Sequence, residues 1–148
     1  MRLAVFLLVL GTALGQPAPA PDEELARVEA EPNLEKRAHA ALDVSEDELR
    51  LAREAYAKGD VTESKARLEQ VQKSVELADS ALKQTGKNPS RSPKHFKQAE
   101  LRSRDLLRRL DGFRDQMSVA DRAAADRVVD AVQKIHDAWL DGIMGKKK

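Results

Sequence analysis

Four successive segments between Asn33 and Ile143 each return a small or aliphatic residue every three or four positions. That spacing keeps one face of a helix apolar along its whole length. The first stripe is Ala38, Leu42, Ser45, Leu49, Ala52 and Tyr56, and the second is Val61, Ser64, Leu68, Val71, Val75, Ala78 and Leu82. The third runs Phe96, Ala99, Ser103, Leu106, Leu110, Phe113 and Met117; the fourth runs Ala124, Val128, Ala131, Val132, Ile135, Trp139 and Ile143. Aromatic residues make up 3% of the chain and charged residues 34%. Sheets favour aromatic and β-branched residues, so this composition belongs to helices with charged surfaces.

The breaks between the stripes carry helix start and stop signals. Asn33 can cap the first helix, and Asp60 with Glu63 can cap the second. Gly59 suits the left-handed residue past a helix end, and Gly86 ends the second stripe. Ser92 is placed to cap the third helix with Pro93 at its first position, and Ser118 with Asp121 to cap the fourth. The expected helices are 33–57, 61–84, 93–116 and 119–143. Ser45-Glu46-Asp47-Glu48 has the form of a capping box, but no Gly or Pro interrupts the stripe, so one continuous helix is expected there. Gly112 is the point where the third helix could stop early.

Each segment of about 24 residues would span roughly 36 Å at 1.5 Å per residue. Two of the joints are very short, which forces antiparallel neighbours. The expected fold is all-α, an antiparallel up-down-up-down four-helix bundle over residues 33–145. A coiled-coil homo-dimer of two hairpins is the competing closure.

Met1-Arg2, the apolar run Leu3–Leu10 and the small residues Ala13 and Gly15 have the form of a secretory signal peptide over 1–15. Crossing a bilayer takes about 20 apolar residues, more than this run supplies. Cleavage is expected after Gly15, with Ala18-Pro19-Ala20 the weaker site because Pro21 would follow the cut. The mature chain would be periplasmic or extracellular, with no transmembrane segment. Gln16-Pro17-Ala18-Pro19-Ala20-Pro21 reads as a stiff linker. Pro32 limits any helix in Asp22–Glu31, so 16–32 is expected to be a poorly ordered arm, and 146–148 a basic tail.

Catalytic and cofactor chemistry finds little support. Cysteine is absent, which removes disulfides, thiolate nucleophiles and sulfur metal sites. Gly86-Lys87 lacks a phosphate-binding loop, since Ala81 stands where its first glycine belongs and Asn88 where Ser or Thr is needed. Pro89 bars Asn88-Pro89-Ser90 from glycosylation. His39, His95 and His136 would fall near one end of the bundle, but no two sit at i, i+3 or i, i+4, so their spacing does not argue for a metal site through them. No serine, histidine and carboxylate form a triad by spacing. The chain is expected to be no enzyme and to hold no cofactor.

Charge is distributed by segment. Residues 22–82 hold 9 Lys and Arg against 16 Asp and Glu, a net of −7; residues 83–109 hold 9 against 2, a net of +7; residues 110–148 hold 7 against 7. One explanation is internal, with the basic third helix packed beside the acidic first hairpin. Glu63, Glu69, Glu76 and Asp79 facing that helix would be its signature. The chain would then be a structural or interaction module of the cell envelope with an unknown protein partner. The other explanation is an anion-binding end formed by Lys83, Lys87, Arg91, Lys94, His95 and Lys97 at the start of a helix, whose dipole and free N–H groups favour anions. Anionic envelope polymer or lipid headgroups are the reachable partners; no nucleic acid is expected of an exported chain.

Two resemblances bear on this reading. Ala55-Tyr56-Ala57-Lys58-Gly59-Asp60 resembles a tetratricopeptide turn, but no second copy occurs and stacked repeats need several. A plain helical hairpin is the better reading. Gly86-Lys87, Ser92-Pro93-Lys94-His95-Phe96-Lys97, Leu106–Leu110 and Gly142-Ile143-Met144-Gly145 together look like a set of small exported bacterial helical-bundle proteins of unassigned function. That resemblance spans 33–145 and implies a fold and an address, with no activity.

Overall fold

Asn33 accepts a hydrogen bond from the Lys36 N–H at 2.9 Å and starts the helix Leu34–Ala57. Asp60 does the same for Glu63 at 3.0 Å and starts Val61–Gln84. Between them the chain reverses in three residues. Gly59 takes φ +81°, its N–H reaches the Tyr56 carbonyl, and the Asp60 N–H reaches the Ala55 carbonyl at 2.9 Å. Those two bonds satisfy carbonyls that the helix end would otherwise leave open.

The computed structural model describes residues 20–146 and holds five helices: α1 Pro21–Glu29, α2 Leu34–Ala57, α3 Val61–Gln84, α4 Lys94–Gln116 and α5 Arg122–Ile143. No strand occurs among the described residues. The expected signal peptide at 1–15, linker residues 16–19 and tail residues 147–148 lie outside them. No described helix is long and apolar enough to cross a membrane.

The four stripes supply the core. Leu42, Leu49, Leu68, Leu82, Leu106, Leu110 and Phe113 are its largest fully buried side chains, and Val71, Val75 and Val132 fill between them. Helix α2 packs on α3 and α4, and α5 packs on α4 and α3, whereas α3 and α4 meet little. Polar bonds tie the helices at both ends. Trp139 donates its indole N–H to Asp79 at 3.0 Å, joining α5 to α3. Near the α2–α3 turn, Tyr56 packs edge-on against Phe113 at 5.7 Å, and its hydroxyl accepts from the Ser118 N–H at 2.8 Å.

The structure departs from the sequence expectation at three places. Residues 21–29 form a helix where a poorly ordered arm was expected. Pro21 opens it, Asp22, Glu23 and Glu24 sit in its positive first turn, and Arg27 in its last. Leu25 is buried and Val28 packs on the core. Gln70 donates to Asp22 at 2.9 Å. Helix α4 begins at Lys94, with Pro93 as its cap and no side-chain capping bond; Ser92 instead turns back, its N–H on the Asn88 carbonyl. Helix α5 begins at Arg122, and the Ser118 hydroxyl bonds the Asp121 carboxylate at 2.8 Å rather than a helix N–H. Gly112 does not stop α4, which runs to Gln116 as the sequence expectation has it.

Candidate anion-binding end

The basic loop is built by local turns. The Thr85 hydroxyl donates to the Leu82 carbonyl, and the Lys87 N–H donates to Thr85 at 3.2 Å. Asn88 accepts from both the N–H and the hydroxyl of Ser90, at 2.9 and 2.7 Å. Pro89 lies against the last turn of α5: a Cβ on Gly142 would come within 3.1 Å of the proline ring, a close approach that a side chain would make only if the loop gave way slightly.

The six expected anion-binding residues fall into two groups. Lys83 is bonded to Asp79 at 2.5 Å. Lys87 is bonded to Glu35. His95 places Nε2 3.5 Å from the same Glu35 carboxylate and Nδ1 2.9 Å from His39 Nε2. The bond from Lys87 holds the Glu35 carboxyl below its ordinary 4.5; burial opposes it, and the nearby charges of His95, Lys87 and Lys94 add to the lowering. Arg91, Lys94 and Lys97 are exposed and make no ion pair among the described residues. Beside them α4 starts without a side-chain cap and without an acid in its first turn.

The acids that meet the basic segment come from α2. Arg102 donates to Asp43 at 2.5 Å, to Glu46 at 2.8 Å and to the His39 carbonyl at 3.3 Å. Burial works against its charge, but the bonds to Glu46 and Asp43 outweigh it and raise its pKa. Three of the four α3 acids named as a signature of neutralisation have partners elsewhere. Glu63 pairs with Arg67, Glu76 accepts from Gln72, and Asp79 serves Lys83 and Trp139.

A serine, a histidine and a carboxylate do meet, between α4 and α5. Ser103 Oγ lies 3.0 Å from His136 Nδ1, and His136 Nε2 lies 3.7 Å from Glu100. All three are buried, and Ser103 has no exposed surface. Its hydroxyl also bonds the Glu100 carbonyl at 2.9 Å, and Arg104 holds the Glu100 carboxylate. A substrate carbonyl has no way to this oxygen, so the cluster joins two helices. Ser103 lies on the third stripe and His136 between Val132 and Trp139, a spacing that turns the ring inward; the sequence reading overlooked that signal.

Two of the three histidines converge, His39 with His95, while His136 sits with Ser103. Among the described residues no three His, Asp or Glu side chains are grouped to hold a metal ion. No family model, curated protein or solved structure matches the chain. The site is therefore read from its chemistry alone.

Proposed function

We infer that the chain is an exported, non-enzymatic helical module of the cell envelope that works by contact. The observation that supports this best is where its chemically capable side chains lie. Ser103, His136 and Glu100 join α4 to α5, Glu48 and Arg67 join α2 to α3, and Arg102 joins α4 to two acids of α2. Residues 33–145 are read as an up-down-up-down four-helix bundle. The three-residue turn at Gly59 supports it, as does the meeting of Glu35 with Lys87 and His95 at one end and of Tyr56 with Ser118 at the other.

Export rests on the form of residues 1–15 and is tested by mass spectrometry of the protein from its native host. An N-terminus at Gln16, or near Ala20, is expected; intact Met1 on soluble cytoplasmic protein overturns it. Contact without chemistry is tested with small esters and amides. Parent and Ser103→Ala should both be inert, and turnover lost in the variant would identify an enzyme.

A second reading concerns the contact itself. Arg91, Lys94 and Lys97 stand exposed around the uncapped start of α4, and this favours an anionic envelope polymer or lipid headgroup as the partner.

A further inference from the structure

We propose that the His39–His95 contact is a proton-operated latch between α2 and α4. His39 Nε2 and His95 Nδ1 face each other at 2.9 Å, and the rings meet edge to face at 5.2 Å. A bond of that length needs one proton between the two nitrogens.

Counting protons gives the behaviour. Two neutral rings carry one N–H each. An ionised Glu35 facing His95 Nε2 favours the proton there, which leaves Nδ1 as the acceptor and His39 Nε2–H as the donor. One added proton still leaves a single N–H between the rings. A second added proton places N–H groups on both facing nitrogens, and two like charges then stand in contact. The link breaks at that step and not before.

The surroundings set which ring resists. The groups that face the pair are Glu35 and Asp43 from α2, Lys87 from the loop through its bond to Glu35, and Lys94 and Arg102 from α4. Burial, the charge on His95 and Arg102 hold His39 below its ordinary 6.5, against the pull of Asp43 and Glu35. His39 is thus neutral in the fold at pH values where the unfolded chain is protonated. The stability lent by the neutral ring is present above 6.5 and is lost as pH falls through the folded value. Opening would part α2 from α4 beside the basic loop and add positive charge at that end. The latch stands whether or not that end binds an anion.

Amide hydrogen exchange on the full chain from pH 8 to pH 5, corrected for intrinsic rates, tests this. Protection at residues 38–42 and 97–99 should fall about tenfold per pH unit once the second proton binds, as an opening that takes up one proton requires. The scan stops at pH 5, above the range in which Glu35 and Asp121, both held below their ordinary values, begin to protonate. His39→Gln can donate to His95 or accept from it, so the variant should keep full protection across the range. His39→Ala should lose protection already at pH 8. Equal pH dependence in the parent and His39→Gln overturns the latch, and that comparison decides even if His39→Ala fails to fold.

Discussion

Glu48 is fully buried between α2 and α3, with its two carboxylate oxygens 3.1 and 3.2 Å from one guanidinium nitrogen of Arg67. Arg67 Nε donates to Glu63 at 2.7 Å, so one guanidinium serves acids on both helices. Burial pushes the Glu48 carboxyl above its ordinary 4.5, and the charge and hydrogen bonds of Arg67 pull it back.

Arg67→Met therefore strands a buried carboxylate, and the loss should be about 3–5 kcal/mol at pH 7 by urea unfolding. A carboxyl whose folded pKa is raised lends stability below 4.5 and loses it as pH rises through the folded value. The variant's deficit should accordingly grow from pH 4 to pH 7. Glu48→Leu added to Arg67→Met should recover most of the loss, because apolar residues of similar size replace a buried pair at little cost. Equal stability of the single and double variants would mean that the carboxylate is not stranded.

Leu68 on α3 and Leu106 on α4 are fully buried in the core, whereas Leu101 is 57% exposed. Changing Leu68 or Leu106 to Ala should each cost about 2–5 kcal/mol, and Leu101→Ala within about 0.5 kcal/mol. Chemical unfolding of the three variants ranks them. Losses below about 0.5 kcal/mol at both buried positions would contradict the stripe as the core.

What could be read from the sequence depended on how local its cause is. The stripes were legible because a 3.6-residue period turns Leu68, Val71 and Val75 to one side whatever they later meet. Asn33 and Asp60 were legible as caps because each bonds an N–H three residues on. Helix α1 was not, since its order draws on the burial of Leu25 and the packing of Val28 on the core, and nine residues form no stable helix alone. Helix adjacency was hidden for a similar reason. Nothing near Arg102 in sequence says that it reaches Asp43 and Glu46, which lie 59 and 56 positions away. The sequence reading names the α3 acids for that role, but α3 lies beside α5, where Asp79 holds Trp139.

The same distinction divides the basic segment into an inner part, Arg102 with its α2 acids, and an outer part, Arg91, Lys94 and Lys97. This division is the centre of the account. One paired measurement tests it: unfolding midpoint, and binding to an anionic polymer or to vesicles rich in an anionic lipid, at low and at physiological salt. Arg102→Met should lower stability by about 1 kcal/mol, the upper range for a partly exposed ion-pair network, and leave binding intact. The triple variant Arg91→Glu, Lys94→Glu, Lys97→Glu should hold the parent's midpoint and lose binding. The parent's own binding should weaken steeply with salt, because screening acts over about 8–10 Å near physiological ionic strength. A triple variant that loses several kcal/mol, with a parent that binds nothing anionic at low salt, would contradict the division and make the whole segment a packing partner of α2.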